Sequence, residues 1–140
     1  MKGESRVIGI VIVAHADLAD ALLGAMCHVV GPQDHACAIA IGPDDDLRSR
    51  QAEIDGAVAR VDQGHGVVVV TDMFGGTPSN LAHGAMKSAS VEVVYGANLP
   101  MLVKLAKMRD RGLQEAVAAA IEAGRKYVNS AGAILEPAKT

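Results

Sequence analysis

Val67-Val68-Val69-Val70-Thr71-Asp72-Met73-Phe74-Gly75-Gly76-Thr77-Pro78 carries the decisive local pattern of this chain. Four valines and a threonine in a row are β-branched with no charged residue among them. That pattern marks a strand covered on both faces. The strand stops at Asp72, after which Thr77 reads as a helix N-cap and Pro78 as the first helical residue, with the helix reaching about Lys87. A buried strand that feeds directly into a helix is half of a βαβ unit, the building block of a parallel sheet.

The same grammar repeats outward. Toward the N-terminus, residues 7–13 form another uninterrupted apolar strand, with His15 closing it. An Ala/Leu-rich helix over residues 17–30 follows, stopped by Gly31-Pro32. Residues 36–41 read as a weaker strand, closed by Gly42-Pro43. Asp44-Asp45-Asp46 then places carboxylates where a helix dipole favours them. Leu47, Ile54, Val58 and Val61 share one face of that helix, and Gly64 is its expected C-cap. Toward the C-terminus, residues 91–95 make a fourth strand, Pro100 opens a helix and residues 113–127 form another. The tail from Ser130, with Ala133-Ile134-Leu135, reads as a short edge strand. The expected fold is α/β: one domain over residues 1–140, doubly wound, with a mostly parallel four-stranded sheet and helices on both faces.

Composition agrees with this. Half of the chain is hydrophobic but only 2% is aromatic, so the core is built from small branched side chains. The net charge of −3 is spread without a Lys/Arg stripe, which argues against nucleic acid as a partner. Two cysteines, Cys27 and Cys37, make no disulfide framework and suit a reducing compartment. Residues 1–6 are charged, and the apolar run after them leads into a strand end, not a cleavage site. With no run near the roughly 20 apolar residues of a membrane span, a cytoplasmic location without membrane insertion is expected.

In such sheets chemistry gathers where the strands end. His15 closes the first strand just before a helix, and a neutral imidazole is a competent nucleophile. Asp72, ending the neighbouring buried strand, can accept a hydrogen bond from one ring nitrogen and leave the other free to attack. Gly75 and Gly76 let backbone N–H groups approach an anion closely, Thr77 offers a hydroxyl, and Ala16 begins the turn into the helix. Together these residues suit a phosphoryl group held without metal or other cofactor. The other histidines carry blander readings. Cys27, His28, His35 and Cys37 match no common zinc spacing, His65 sits in a turn, and His83 is a surface helix residue. Asn98 and Pro100 read as loop-shaping residues.

The stretch Val11-Ile12-Val13-Ala14-His15-Ala16-Asp17-Leu18-Ala19 resembles the phosphohistidine segment of the mannose-family enzyme IIA domains of the phosphoenolpyruvate-dependent sugar phosphotransferase system. Thr71-Asp72-Met73-Phe74-Gly75-Gly76-Thr77-Pro78-Ser79-Asn80 is similar to that family's Asp-aromatic-Gly-Gly-Ser/Thr-Pro loop. Tyr95-Gly96-Ala97-Asn98-Leu99-Pro100-Met101-Leu102 is similar to its third signature. The resemblance implies a homodimeric α/β domain whose histidine takes a phosphoryl group from the small carrier protein HPr and passes it to a IIB domain. It implies His15 as the phosphorylated residue through Nε2, Asp72 as its partner at Nδ1, and a C-terminal tail exchanged between subunits as an antiparallel edge strand.

Two departures stand out. Ala16 occupies a place where the family often has glycine, and the sequence ends at Thr140 with no Ala/Pro-rich linker into a IIB domain. The expected acceptor is therefore a separate IIB protein. Two alternatives share the chemistry: a regulatory protein whose His15 phosphorylation state controls binding to a target, and the phosphocarrier subunit of a dihydroxyacetone kinase. A flavodoxin-like small-molecule binder is disfavoured by the scarcity of aromatic side chains.

Overall fold

In a computed structural model of the chain, which describes residues 6–73, 75–88 and 90–135, the sheet has four parallel strands. They are β1 (Gly9–His15), β2 (Ala36–Ile41), β3 (Val67–Thr71) and β4 (Val91–Val94), in the spatial order β2-β1-β3-β4. The helices among the described residues are α1 (Leu18–Val30), α2 (Leu47–Val61), α3 (Thr77–Gly84), α4 (Leu99–Lys107), α5 (Leu113–Lys126) and α6 (Ala131–Leu135). The order means that the chain leaves β1 in one direction for β2 and returns past it to β3. A crevice therefore opens at the carboxyl ends of β1 and β3.

Alternation along the strands divides the core in two, because successive side chains point to opposite faces. Ile8, Ile10, Ile12, Val68, Val70 and Val94 pack with Met26 of α1, Leu102 and Leu105 of α4, and Ala120 of α5. Val11, Val13, Val67, Val69 and Val93 pack on the other face against Ile54, Ala57 and Val61 of α2 and Leu81 and Ala82 of α3. The unbroken apolar strands are the direct consequence of this two-sided burial. Small residues permit close approach between layers. A Cβ on Gly9 would lie 2.6 Å from the Val61 carbonyl oxygen, so only glycine lets the end of α2 rest on β1.

Five local expectations are corrected. Gly76, not Thr77, is the N-cap of α3, and that helix ends at Gly84 instead of near Lys87. Helix α2 ends at Val61, three residues before Gly64, because the Asp62 carboxylate accepts the Gly64 N–H at 2.8 Å and turns the chain out of the helix. Leu47 does not join the buried face with Ile54 and Val61. It begins α2 at the carboxyl edge of the sheet and is 53% exposed. Ala133-Ile134-Leu135 belongs to α6 and not to an edge strand. Ser130 starts that helical turn by accepting the Ala133 N–H on its hydroxyl at 3.1 Å. None of the described helices is long and apolar enough to cross a membrane.

Candidate functional site

The parallel pairing of β1 and β3 places Val13 opposite Thr71, so the residues just beyond, His15 and Asp72, meet above the sheet edge. A single carboxylate oxygen, Oδ2 of Asp72, accepts twice from His15: from the backbone N–H at 3.0 Å and from ring Nδ1 at 2.8 Å. A carboxylate oxygen only accepts, so this geometry puts the ring proton on Nδ1 and leaves the lone pair on Nε2. The backbone bond fixes the carboxylate relative to the strand, and the ring bond fixes the imidazole relative to the carboxylate.

Burial differs sharply across the pair. The Asp72 side chain is 11% exposed, whereas the His15 side chain is 49% exposed. Burial by itself raises the carboxyl pKa of Asp72. The hydrogen bonds from the His15 backbone N–H and from its ring outweigh it and hold the group below its ordinary value. Asp72 is thus an ionised carboxylate set into the protein, and the His15 ring that it holds is presented outward.

Gly76 lies against the Nε2 side of the ring. A Cβ there would sit 3.1 Å from Cε1 and 3.3 Å from Nε2 of His15. Its φ of −113° and ψ of −179° are extended and open to any residue, so the need for glycine is one of space. Gly75 differs: its φ of +92° is left-handed, and a Cβ would meet nothing within 4 Å. Asn80 N–H is the donor that returns to the Gly76 carbonyl. The N–H groups of Thr77 and Ser79, in the first turn of α3 that follows Gly76, have no acceptor within the helix. Thr77 is exposed as the first residue of that helix.

On the other side of the histidine, Ala16 has φ +50°, a left-handed conformation in a residue with a Cβ. Its N–H donates to the Ile41 carbonyl at 2.9 Å, which ties the turn to β2 and starts α1 at Leu18. Asn98 shapes the third loop. Its Oδ1 caps α4 by accepting the Met101 N–H at 2.9 Å, and its Nδ2 donates to the Gly124 carbonyl at 3.1 Å. The remaining histidines stand apart from this arrangement: His83 is exposed and bonds through Nε2 to the Tyr95 hydroxyl. Among the described residues, no three His, Cys, Asp or Glu side chains converge as a metal-binding set.

One structurally important side chain gives no sequence signal. Arg109 is 5% exposed, and it donates to the carbonyls of Ile8 and His35 and to Gln33 Oε1 at 2.8, 2.9 and 3.0 Å. It fastens the segment after α4 to the amino edge of the sheet, opposite His15.

The family model described as "EIIA-man: PTS system fructose IIA component" matches residues 9–122. The chain is 32% identical over 126 residues to the "PTS system mannose-specific EIIAB component" of Escherichia coli K12. That match covers 88% of this chain and 39% of the relative, so the chain spans about two fifths of that protein. It is 25% identical over 104 residues to the "PTS system fructose-specific EIIA component" of Bacillus subtilis, covering 74% of this chain and 71% of the relative. The mannose/sorbose-specific IIA subunit from Enterococcus faecalis has the same fold, with a TM-score of 0.81 at 24% identity, over 96% of this chain and 99% of that one.

Proposed function

The chain belongs to the EIIA-man family, the IIA components of the sugar phosphotransferase system, and from that premise we propose that it is a phosphocarrier working through His15. The observation that carries the proposal is the pairing of Nδ1 with Asp72 at 2.8 Å, which leaves Nε2 unprotonated on a half-exposed ring beside Gly76. The donor is phosphorylated HPr, and the acceptor is a IIB protein or domain.

Transfer needs no external base. The Nε2 lone pair attacks the phosphorus of the donor's phosphohistidine. The P–N bond to His15 forms as the donor's P–N bond breaks, and the donor imidazole leaves with that electron pair. His15 keeps its Nδ1 proton throughout, so its ring becomes cationic as the bond forms. The ionised Asp72 carboxylate at Oδ2 stabilises that charge. The incoming phosphoryl oxygens lie toward the first N–H groups of α3 and the Gly75-Gly76 backbone, with the Thr77 hydroxyl and the turn at Ala16 at the rim. The same contacts serve in reverse when IIB takes the group. The donor is already an activated phosphohistidine, so the step calls for neither nucleotide nor metal.

The premise extends to a cytoplasmic homodimer. The sheet order leaves β4 at an edge, which supports an added antiparallel strand from a partner's tail. Such an exchange requires α6 to unwind, and residues 136–140 lie outside the described structure.

The test is intact-mass analysis after incubation with enzyme I, HPr and phosphoenolpyruvate, comparing the wild type with His15→Gln. Gain of one acid-labile phosphoryl group by the wild type alone is the expected result. An unmodified wild type, or equal labelling of the variant, overturns the proposal.

A further inference from the structure

At the amino edge of the sheet, the end away from His15, Arg109 is a buried cation without a countercharge. Its guanidinium is held by neutral acceptors alone. Nε donates to the Ile8 carbonyl at 2.8 Å, Nη2 to the His35 carbonyl at 2.9 Å and Nη1 to Gln33 Oε1 at 3.0 Å. No ion pair among the described residues includes it. One hydrogen of Nη1 and one of Nη2 remain without an acceptor among those residues. Burial penalises an unpaired charge strongly. It pulls the Arg109 pKa below its ordinary value, with the Asp34 carboxylate opposing.

Arg109 lines a cavity of about 490 Å³ together with Gln33, Asp34, His35 and Gln63, and the wall is more polar than apolar. That wall is held in place by its own hydrogen bonds. Gln63 Oε1 accepts the Val7 N–H at 3.0 Å, which leaves both Nε2 hydrogens as donors. The His35 carbonyl accepts the Ile10 N–H at 3.1 Å as well as Arg109. Those two bonds hold His35 at φ +56°, a left-handed backbone in a residue with a Cβ. Asp34 is exposed, and its carboxylate takes no hydrogen bond among the described residues. The cavity therefore offers a buried cation, amide donors and an open carboxylate acceptor. The cation and donors suit an oxyanion, and the carboxylate suits hydroxyl groups.

We propose that this cavity binds a small hydroxylated anion, a sugar phosphate or a sugar acid. Its phosphate or carboxylate sits on the Arg109 guanidinium and Gln63 Nε2, and its hydroxyls on Asp34. The bound oxyanion supplies the countercharge that the fold withholds from Arg109. The cavity stands about 20 Å from His15, the length of the seven-residue β1. The site is thus separate from the phosphoryl-transfer centre and does not depend on the phosphocarrier reading.

The experiment titrates the full chain calorimetrically with glucose 6-phosphate, gluconate and, as the uncharged control, glucose. One-site binding of at least one anion with a Kd below about 1 mM is expected, and none of glucose. Binding of glucose 6-phosphate alone identifies a phosphate ligand, binding of gluconate alone a carboxylate, and binding of both a site that reads charge. Two variants locate the site. Gln33→Glu sets a carboxylate at Nη1 and gives Arg109 an internal countercharge. Gln63→Glu keeps the acceptor for the Val7 N–H and removes the amide donors. Each is expected to weaken anion binding at least about tenfold. Their urea midpoints stay at or above that of the wild type, which shows that the fold is intact. Absence of saturable heat up to about 10 mM of either anion overturns the proposal, as does glucose binding as tightly as the anions. Wild-type affinity in both variants also overturns it, because the anion is then bound elsewhere.

Discussion

Replacing Gly76 with alanine separates the chemistry of the site from the stability of the fold. The added Cβ would stand 3.1 Å from Cε1 and 3.3 Å from Nε2 of His15, a few tenths of an ångström inside ordinary contact. The backbone there is extended, with φ −113°, so alanine brings no conformational strain. The imidazole is 49% exposed and can swing away, which relieves the clash at small cost in stability. The same swing stretches the 2.8 Å bond to Asp72 and misdirects Nε2. Displacement on this scale costs roughly 100-fold in rate, or about 2.7 kcal/mol of barrier. Stability should change by about 0.5 kcal/mol or less, as for other substitutions at surface sites. Gly75→Ala gives the converse signature. At φ +92° a Cβ has room but the conformation is strained, so about 1–2 kcal/mol of stability is lost while Nε2 stays clear. Rapid-quench labelling by phosphorylated HPr and urea denaturation read the two quantities independently. Wild-type labelling by Gly76→Ala, with the fold intact, refutes the steric account of this glycine.

Three further outcomes follow from the geometry. Ala16→Gly relieves a left-handed φ of +50° worth about 1–2 kcal/mol, offset by about 0.5–1 kcal/mol of glycine's chain entropy, so urea denaturation should show a small net stabilisation. A clear loss of stability would contradict it. Asp72→Asn slows HPr-dependent labelling at least about tenfold. The Asp72 pKa is depressed on folding, so its stabilising effect is present above the unfolded value of about 3.9 and lost as pH falls through the folded value. The stability difference between wild type and variant should therefore shrink as pH drops below about 5, and a difference that grows there contradicts the assigned charge. Arg109→Met leaves the Ile8 and His35 carbonyls without their donor and should cost about 3 kcal/mol in urea denaturation, with His15 labelling retained at low temperature.

What the sequence disclosed and what it withheld divide along a physical line. The strands were legible because burial on two faces demands unbroken β-branched runs, and residues 36–41 and 67–71 matched their observed bounds. His15 and Asp72 were legible as a pair because each ends an apolar strand, and adjacent parallel strands bring their ends together. Features that depend on distant atoms were not. Thr77 is the better cap residue by local preference, yet Gly76 caps α3 beside the His15 ring, where a Cβ would crowd it. Arg109 stands between Met108 and Asp110 in a charged stretch that reads as solvated surface, and its burial depends on Ile8, far away in the chain. Leu47 fits a helical stripe, but no stripe tells where the underlying sheet ends. The tail had the residues of a strand and, in the single chain, the Ser130 hydroxyl bonds of a helical turn.

The central claim is that His15 carries the phosphoryl group on Nε2 while Nδ1 stays bonded to Asp72. Nitrogen-15 labelling of the histidines, followed by phosphorylation through HPr and NMR of the product, reads this directly. The account predicts a phosphorus–nitrogen coupling at Nε2 of His15, with the proton retained on Nδ1. Coupling at Nδ1, or at any other histidine, would contradict it.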